Sequence, residues 1–204
     1  MNISVEEQIL VKIKKAKKGT LFFNENFVSK ANSDAVRKAL ERLVKASEII
    51  RISSGVYVRP QTDTIIGQLL PSIDAVVKAI AKRDKARIVP TGSYALNKIG
   101  LSTQVPMNVV YLTDGAPRKI TIFGRKVLFK KTSPKNLSAI GEISQLVIQA
   151  LRTLGKDNIT EAEITHIQTL LRNEKPTRLE HDFRLAPAWI REIIRPILNE
   201  NIHE

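Results

Sequence analysis

The chain has 204 residues, of which 43% are hydrophobic and none is cysteine, and it carries a formal net charge of +13 at pH 7. This length can bury a core and allows one large domain or two small ones. The sequence contains no apolar run near the roughly 18 residues of a transmembrane helix and no secretory signal. Without cysteine it has no thiol for disulfides or metal ions. We therefore expect a cytoplasmic protein without membrane contacts.

The positive charge is concentrated in the first two thirds of the chain. Residues 1–60 have a net charge of +6, residues 61–135 have +9, and residues 136–204 have −2. Such a field attracts polyanions, nucleic acid above all.

The first predicted helix begins at a capping box formed by Ser4 and Glu7. Val5, Ile9 and Ile13 follow at helical spacing and give the helix one apolar face. Lysines crowd its last turns, where they complement the helix dipole, and Gly19 ends it.

Two further helices are predicted before residue 46. A short one covers residues 24–30, with Phe27 and Val28 available to the core, and Ser33 is the expected N-cap of the next. That third helix carries Val36, Leu40, Leu43 and Val44 on one side and mostly charged residues on the other. A buried stripe opposite a cationic face is what a helix needs to enter the major groove of DNA.

A β-hairpin is predicted directly after the third helix. Residues 49–52 and 56–59 are rich in β-branched side chains and flank the turn 53–55, which contains Gly55. Three helices followed by a hairpin are typical of a winged helix-turn-helix, so residues 1–60 are predicted to bind double-stranded DNA. Base-edge contacts are expected from the start of the third helix, at Ser33, Asp34, Arg37 and Lys38. Phosphate contacts, which position the protein without reading sequence, are expected from Arg42 on the same helix and from Lys30, Arg51, Ser53, Ser54 and Arg59.

Residues 61–70 are interpreted as a connector to a C-terminal α/β domain, residues 71–204. A helix is expected from Pro71 onward. Short strands are predicted at 87–90, 109–112 and in a hairpin over 120–129, with a small helix between 92 and 100. Longer helices are predicted over 137–154, from a second capping box at Thr160 to about Arg172, and over 187–198. The fold class is therefore α+β, with a small mixed sheet and a helical C-terminal end.

No catalytic residue, metal ligand or cofactor is predicted. Gly92-Ser93 is similar to the Gly-Ser of nucleotidyltransferases, but those enzymes also need an Asp-x-Asp pair for two metal ions, and Asp114 stands alone. His166, His181 and His203 lack metal-ligand spacing.

The chain resembles the AbiEi-like antitoxins of type IV toxin–antitoxin systems over nearly its whole length. The similarity rests on the N-terminal winged helix closing with Gly55-Val56-Tyr57 and Arg59-Pro60, on residues 92–97 with 100–102, and on 111–115 with Arg118. It implies an autorepressor that binds inverted repeats in its own promoter, and a C-terminal domain that counteracts a nucleotidyltransferase-like toxin with no stable complex required. Repressors on inverted repeats usually bind as two copies, and two monomers on adjacent sites would serve as well.

A second basic surface is predicted in the C-terminal domain and could contact DNA or RNA. Its expected members are Lys98, Arg118, Lys119, Arg125, Lys126, Lys130 and Lys131. Two other functions stay open at this point. One is a stand-alone winged-helix regulator whose second domain senses a ligand or dimerises, and the other is an enzyme that the N-terminal domain targets to nucleic acid.

Overall fold

In the computed structural model, residues 3–200 are described, apart from the side chains of Ser29 and Lys30. The protein is of the predicted α+β class. The chain divides into two compact units, Met1–Ile80 with Ile120–Gly124, and Ala81–Lys119 with Arg125–Glu204. None of the described helices is long and apolar enough to cross a membrane.

The first unit begins with a helix, a strand, a turn of 3-10 helix, a second helix and two strands. In chain order these are α1 Val5–Lys15, β1 Leu21–Phe23, the 3-10 helix Asn24–Lys30, α2 Ser33–Lys45, β2 Ile50–Ser53 and β3 Val56–Val58. The strands form an antiparallel sheet in the order β1-β3-β2.

The core of this unit lies between α1, α2 and the 3-10 helix. The capping box of Ser4 and Glu7 is confirmed at the start of α1, which buries Ile9 and Ile13 against Phe27 and Leu40. Two predictions were wrong in detail. Val28 is 52% exposed, and the N-cap of α2 is Asn32, whose side chain accepts a hydrogen bond from Ala35 N at 2.8 Å, so Ser33 is the first helical residue.

Residues 61–70, expected to be a connector, form a second hairpin. Its strands are β4 Gln61–Asp63 and β5 Gly67–Leu69, paired antiparallel. Helix α3 then spans Ile73–Arg83. Ser72, whose hydroxyl accepts from Ala75 N at 3.2 Å, precedes it, so Pro71 is not the first helical residue as predicted.

The second unit contains most of a four-stranded sheet and a short helix. The elements are β6 Ile88–Thr91, α4 Ser93–Lys98, β7 Asn108–Thr113, β8 Arg118–Ile122 and β9 Arg125–Lys131. The strand order is β6-β7-β9-β8, with β6 antiparallel and β9 parallel to β7. Predicted strands lie at all four positions.

Four helices complete the second unit. They are α5 Glu142–Leu154, α6 Glu161–Leu171, α7 Pro176–Leu185 and α8 Ala188–Glu200, and they bury a core that includes Leu151, Ile167, Leu179, Ile190 and Ile194. The second capping box, at Thr160 and Glu163, is confirmed. Helix α5 begins five residues later than predicted, after a separate 3-10 turn at Pro134–Leu137, and α7 was not predicted.

Two buried carboxylates bind the start of α5. Asp182, fully buried, accepts hydrogen bonds from Ile140 N and Gly141 N, both at 2.9 Å, and from the Ser144 hydroxyl. Glu174 accepts from the amides of Ile143 and Ser144 at 2.7 and 3.2 Å. Because the first amides of a helix have no partner within it, these two side chains of α7 and the turn before it satisfy the N-terminus of α5.

Candidate nucleic-acid interface

Helix α2 separates its buried and exposed sides sharply. Val36, Ala39, Leu40 and Leu43 are buried, while its charged side chains are exposed. The exposed face carries four cations and two anions, namely Asp34, Arg37, Lys38, Glu41, Arg42 and Lys45. Cations outnumber anions by two on this face, and the helix is 13 residues long.

Arg37 lies between two carboxylates of its own helix. Its Nη1 donates to Glu41 Oε1 at 3.0 Å, and its Nε lies 3.9 Å from Asp34 Oδ1. The Arg37 side chain remains 52% exposed, so each pair stabilises the helix by a few tenths of a kcal/mol at most. The pairs therefore do more to orient the guanidinium than to stabilise the fold.

The other predicted members on α2 differ in their partners. Arg42 Nη1 is 3.4 Å from Glu6 Oε2 of α1, and the Arg42 side chain remains 70% exposed. Lys38 is exposed and has no acidic partner among the described residues. Ser33 is exposed at the N-terminus of the helix.

The β2–β3 hairpin lies next to α2 in the chain and packs into the same unit. Its turn is at Ser54 and Gly55, where Gly55 has a φ of +70° that favours glycine, and a bulge falls between Arg51 and Ser53. Arg51 and Ser54 are exposed and Ser53 is partly so. These three predicted phosphate contacts therefore lie together on one accessible hairpin.

Tyr57 connects this hairpin electrostatically to α2. Tyr57 is opposite Arg51 across the two strands and is 3% exposed. Burial raises the pKa of its phenol, the charge of Arg51 lowers it, and Glu41 and Arg37 contribute smaller effects of opposite sign. The hairpin and the central turn of α2 are thus close enough for their charges to interact.

Arg59, which was predicted to contact phosphate, has a structural role at the end of α1. Its Nη1 donates to the carbonyl oxygens of Lys14, at 2.9 Å, and Ala16, which are at the C-terminus of α1. A cation there satisfies carbonyls that lack helical partners and complements the helix dipole. Lys30, the remaining predicted phosphate contact, has its side chain outside the described residues.

The seven cations of the predicted second basic surface do not form one group. Lys98 stands over the ring of Tyr94 at 5.4 Å, and Arg118 pairs with Asp84 and stacks over Phe129 at 5.1 Å. Side chains alternate between the faces of a strand, and Val127 and Phe129 are buried. Arg125 and Lys131 therefore belong to the face of Val127, while Lys126, Lys130 and, on β8, Lys119 belong to the opposite, more exposed face.

The side chains considered for catalysis have structural partners. Asp114 accepts from the Arg87 amide at 2.7 Å and from its guanidinium at 2.8 Å, and Arg87 holds the pKa of this carboxyl below its usual range. His166 contacts the Ile99 carbonyl at 2.7 Å, and His181 contacts Asp182. His203 lies outside the described residues, among which no group of three acidic or histidine side chains could hold a metal ion.

Sequence reasoning missed two parts of this site. One is the pair of contacts from Arg37 to Asp34 and Glu41, which we call the Arg37 clamp, and the other is Asn32 as the N-cap of α2. Asp34, Arg37 and Glu41 are spaced i, i+3 and i+7, and spacings of three and four residues place oppositely charged side chains side by side on a helix. That spacing could therefore have predicted the ion pairs of Arg37. The sequence did not distinguish Asn32 from Ser33 as the N-cap, since both residue types are favoured at that position.

Comparison with known proteins identifies the family of this α+β chain. Residues 8–179 match the model of DUF6088, described as a family of unknown function, and the chain belongs to that family. A crystal structure of the RV2827C protein from Mycobacterium tuberculosis is similar at 10% sequence identity, covering 95% of this chain and 82% of that one, with a TM-score of 0.43. No curated protein matches the sequence.

Proposed function

We propose that the first unit is a winged helix-turn-helix that binds double-stranded DNA, with α2 in the major groove and the β2–β3 hairpin on the phosphate backbone. The observation that carries this proposal is the outward face of α2, where Arg37 is held in the open between Asp34 and Glu41. The order α1, β1, 3-10 helix, α2, β2 and β3, with β1 paired to β3, supports the proposal, because a hairpin directly after the third helical segment is expected of winged helix-turn-helix domains.

Arg37 is the residue to which we assign base recognition. A guanidinium fork can donate two hydrogen bonds to O6 and N7 of guanine, which is the commonest specific contact in the major groove. Because Glu41 already orders this side chain, less conformational entropy is lost when it meets a base. Ser33, Asp34 and Lys38 lie on the first turns of the same helix and complete the reading surface.

Phosphate contacts are assigned to the β2–β3 hairpin and to the more exposed face of the four-stranded sheet. Arg51, Ser53 and Ser54 supply the first set. Lys119, Lys126 and Lys130 supply the second, and the strands β7, β8 and β9 contain no acidic residue that would oppose them. Phosphate contacts contribute affinity and salt dependence rather than sequence preference.

The biological role that we propose is autorepression combined with antitoxin activity. The support is the resemblance to AbiEi-like antitoxins, which implies binding to inverted repeats in the protein's own promoter and opposition to a nucleotidyltransferase-like toxin. The proposal contains no catalytic step, metal or cofactor, since Asp114, the acid closest to a nucleotidyltransferase pattern, is engaged by Arg87. A cytoplasmic location is part of this proposal.

A reporter assay in cells tests the two parts of this role separately. The native upstream region is fused to a reporter, and the protein is supplied from an independent promoter. We expect repression of the native region and none of a matched region with its inverted repeats scrambled. In parallel, expression of the adjacent toxin-like gene should arrest growth unless the protein is present. Repression without rescue of growth would leave a stand-alone regulator, and absence of repression would overturn autorepression.

A further inference from the structure

The tip of the β4–β5 hairpin presents two large apolar side chains to solvent. Ile65 is 91% exposed and Ile66 is 73% exposed, and they are adjacent in the turn between Asp63 and Gly67. Single exposed apolar residues are common on protein surfaces, but two neighbouring β-branched residues at the end of a projecting hairpin form a compact apolar knob.

The turn holds this knob in a fixed shape. Asp63 Oδ1 accepts hydrogen bonds from the amides of both Ile65 and Ile66, at 2.8 and 3.1 Å. Gly67 closes the turn at a φ of +76°, a conformation that favours glycine. These hydrogen bonds fix the backbone of the turn, so both isoleucine side chains stay exposed.

The charge of the hairpin favours a protein as its partner. In a chain of net charge +13, residues 61–70 contain no lysine or arginine, and their one charged residue is Asp63. A segment that inserted into DNA or an anionic membrane would gain from cations beside its apolar tip. The hairpin carries an anion there instead.

The same chain has a groove that complements this tip. It lies between α7 and α8, has a volume of about 610 Å³, and is lined by Pro176, Thr177, Phe183 and Leu198, with Glu180, Arg184 and Arg195 as its charged residues. Arg184 pairs with Glu180, whereas Arg195 has no acidic partner among the described residues. The groove thus offers apolar surface for two isoleucines and a cation for Asp63.

We propose that the β4–β5 tip of one copy binds the α7–α8 groove of a second copy. One hairpin tip is small beside the roughly 1,200 Å² or more that stable interfaces bury, so the self-association is weak.

Disulfide trapping between separate copies tests the contact directly, because the chain contains no cysteine of its own. Thr64→Cys labels the tip without removing an isoleucine, and Thr177→Cys labels the groove. Mixed under mild oxidation without DNA, the two single-cysteine proteins should form a covalent heterodimer. The pair of Thr64→Cys with the exposed site Thr103→Cys is the control and should give at least tenfold less product.

Sedimentation of the full chain supplies the second readout. We expect the Ile65→Ser/Ile66→Ser double variant to raise the dimer dissociation constant at least tenfold, while Thr62→Ser/Thr64→Ser, on the same hairpin, leaves it unchanged. Equal trapping of the Thr103 control, predominant Thr64–Thr64 disulfides, or a wild-type chain that stays monomeric at every concentration would each overturn the proposal. DNA takes no part in these measurements, so their outcome is independent of the proposed DNA binding.

Discussion

Carboxylates perform opposite tasks on the outward face of α2 and at the start of α5. On α2, Asp34 and Glu41 flank Arg37 in solvent, where their side chains are 82% and 47% exposed. At α5, Asp182 and Glu174 are 0% and 6% exposed and accept hydrogen bonds from the amides that open the helix.

The surroundings decide what each group of charges can do. An exposed ion pair has a small net energy, because water competes for both partners, so Glu41 can orient the Arg37 side chain without holding it away from a base. A buried carboxylate cannot leave its donors without a large desolvation penalty. In the proposed function the first arrangement serves DNA recognition, and the second holds the start of α5 in place.

The largest effect is expected from Asp182→Ala. This change leaves the Ile140 and Gly141 amides and the Ser144 hydroxyl without their acceptor, so we expect the free energy of unfolding to fall by about 3–5 kcal/mol. Urea denaturation measures it. Asp157→Ala, at an exposed acid of the same unit, is the matched control and should stay within about 0.5 kcal/mol. A loss below about 1 kcal/mol for Asp182→Ala would show that solvent replaces the missing carboxylate.

Arg59→Ala should lower the free energy of unfolding by about 1.5–3 kcal/mol, since it removes charged hydrogen bonds to the C-terminus of α1. Its control is Arg51→Ala on the same hairpin, where we expect little change in stability but a salt slope of DNA binding that is lower by about one unit. If Arg59→Ala instead lowered the salt slope and left stability intact, Arg59 would be a phosphate contact after all.

Arg37→Ala should weaken binding to the native promoter by about 1–3 kcal/mol and weaken binding to random DNA only a few-fold, through the loss of one positive charge. Arg37→Lys keeps the charge but lacks the planar fork, so it should behave like the alanine variant on native DNA. Fluorescence anisotropy on both DNAs measures the difference. Full native affinity in Arg37→Lys would mean that the side chain contacts phosphate only.

Glu41→Gln should have the smallest effect. The amide cannot hold the guanidinium as firmly, so we expect stability to change by no more than about 0.5 kcal/mol. Affinity for random DNA should rise a few-fold because a negative charge is lost, while the ratio of native to random affinity falls. The control is Glu48→Gln, which removes the partner of Lys14 outside α2 and should not change the ratio of native to random affinity. An unchanged ratio in Glu41→Gln would argue against the Arg37 clamp.

Local sequence signals predicted the elements that local interactions determine. Both capping boxes, the apolar stripe of α2 and the β2–β3 hairpin follow from spacings of a few residues, and the structure places them as predicted. Hairpin β4–β5 was missed because the segments around Asp63 and Gly67 lack the alternating apolar residues of a typical strand.

Contacts between distant residues explain what the sequence did not predict. The start of α5 is fixed by Glu174 and Asp182, about 30 to 40 positions away in the chain. Arg59 reaches the end of α1 across 43 to 45 positions. No periodicity in a short window carries such information, so these residues could be assigned roles only once the fold was known.

The central claim is that α2 reads DNA sequence through Arg37. The most direct measurement is an anisotropy titration of the wild-type chain and Arg37→Ala on the native upstream duplex and on its scrambled counterpart, at two salt concentrations. We predict a preference of about a thousandfold or more for the native duplex in the wild type, reduced at least fivefold by Arg37→Ala at an unchanged salt slope. Equal binding of both duplexes by the wild type, with a steep dependence on salt, would contradict the claim and leave a nonspecific polyanion binder.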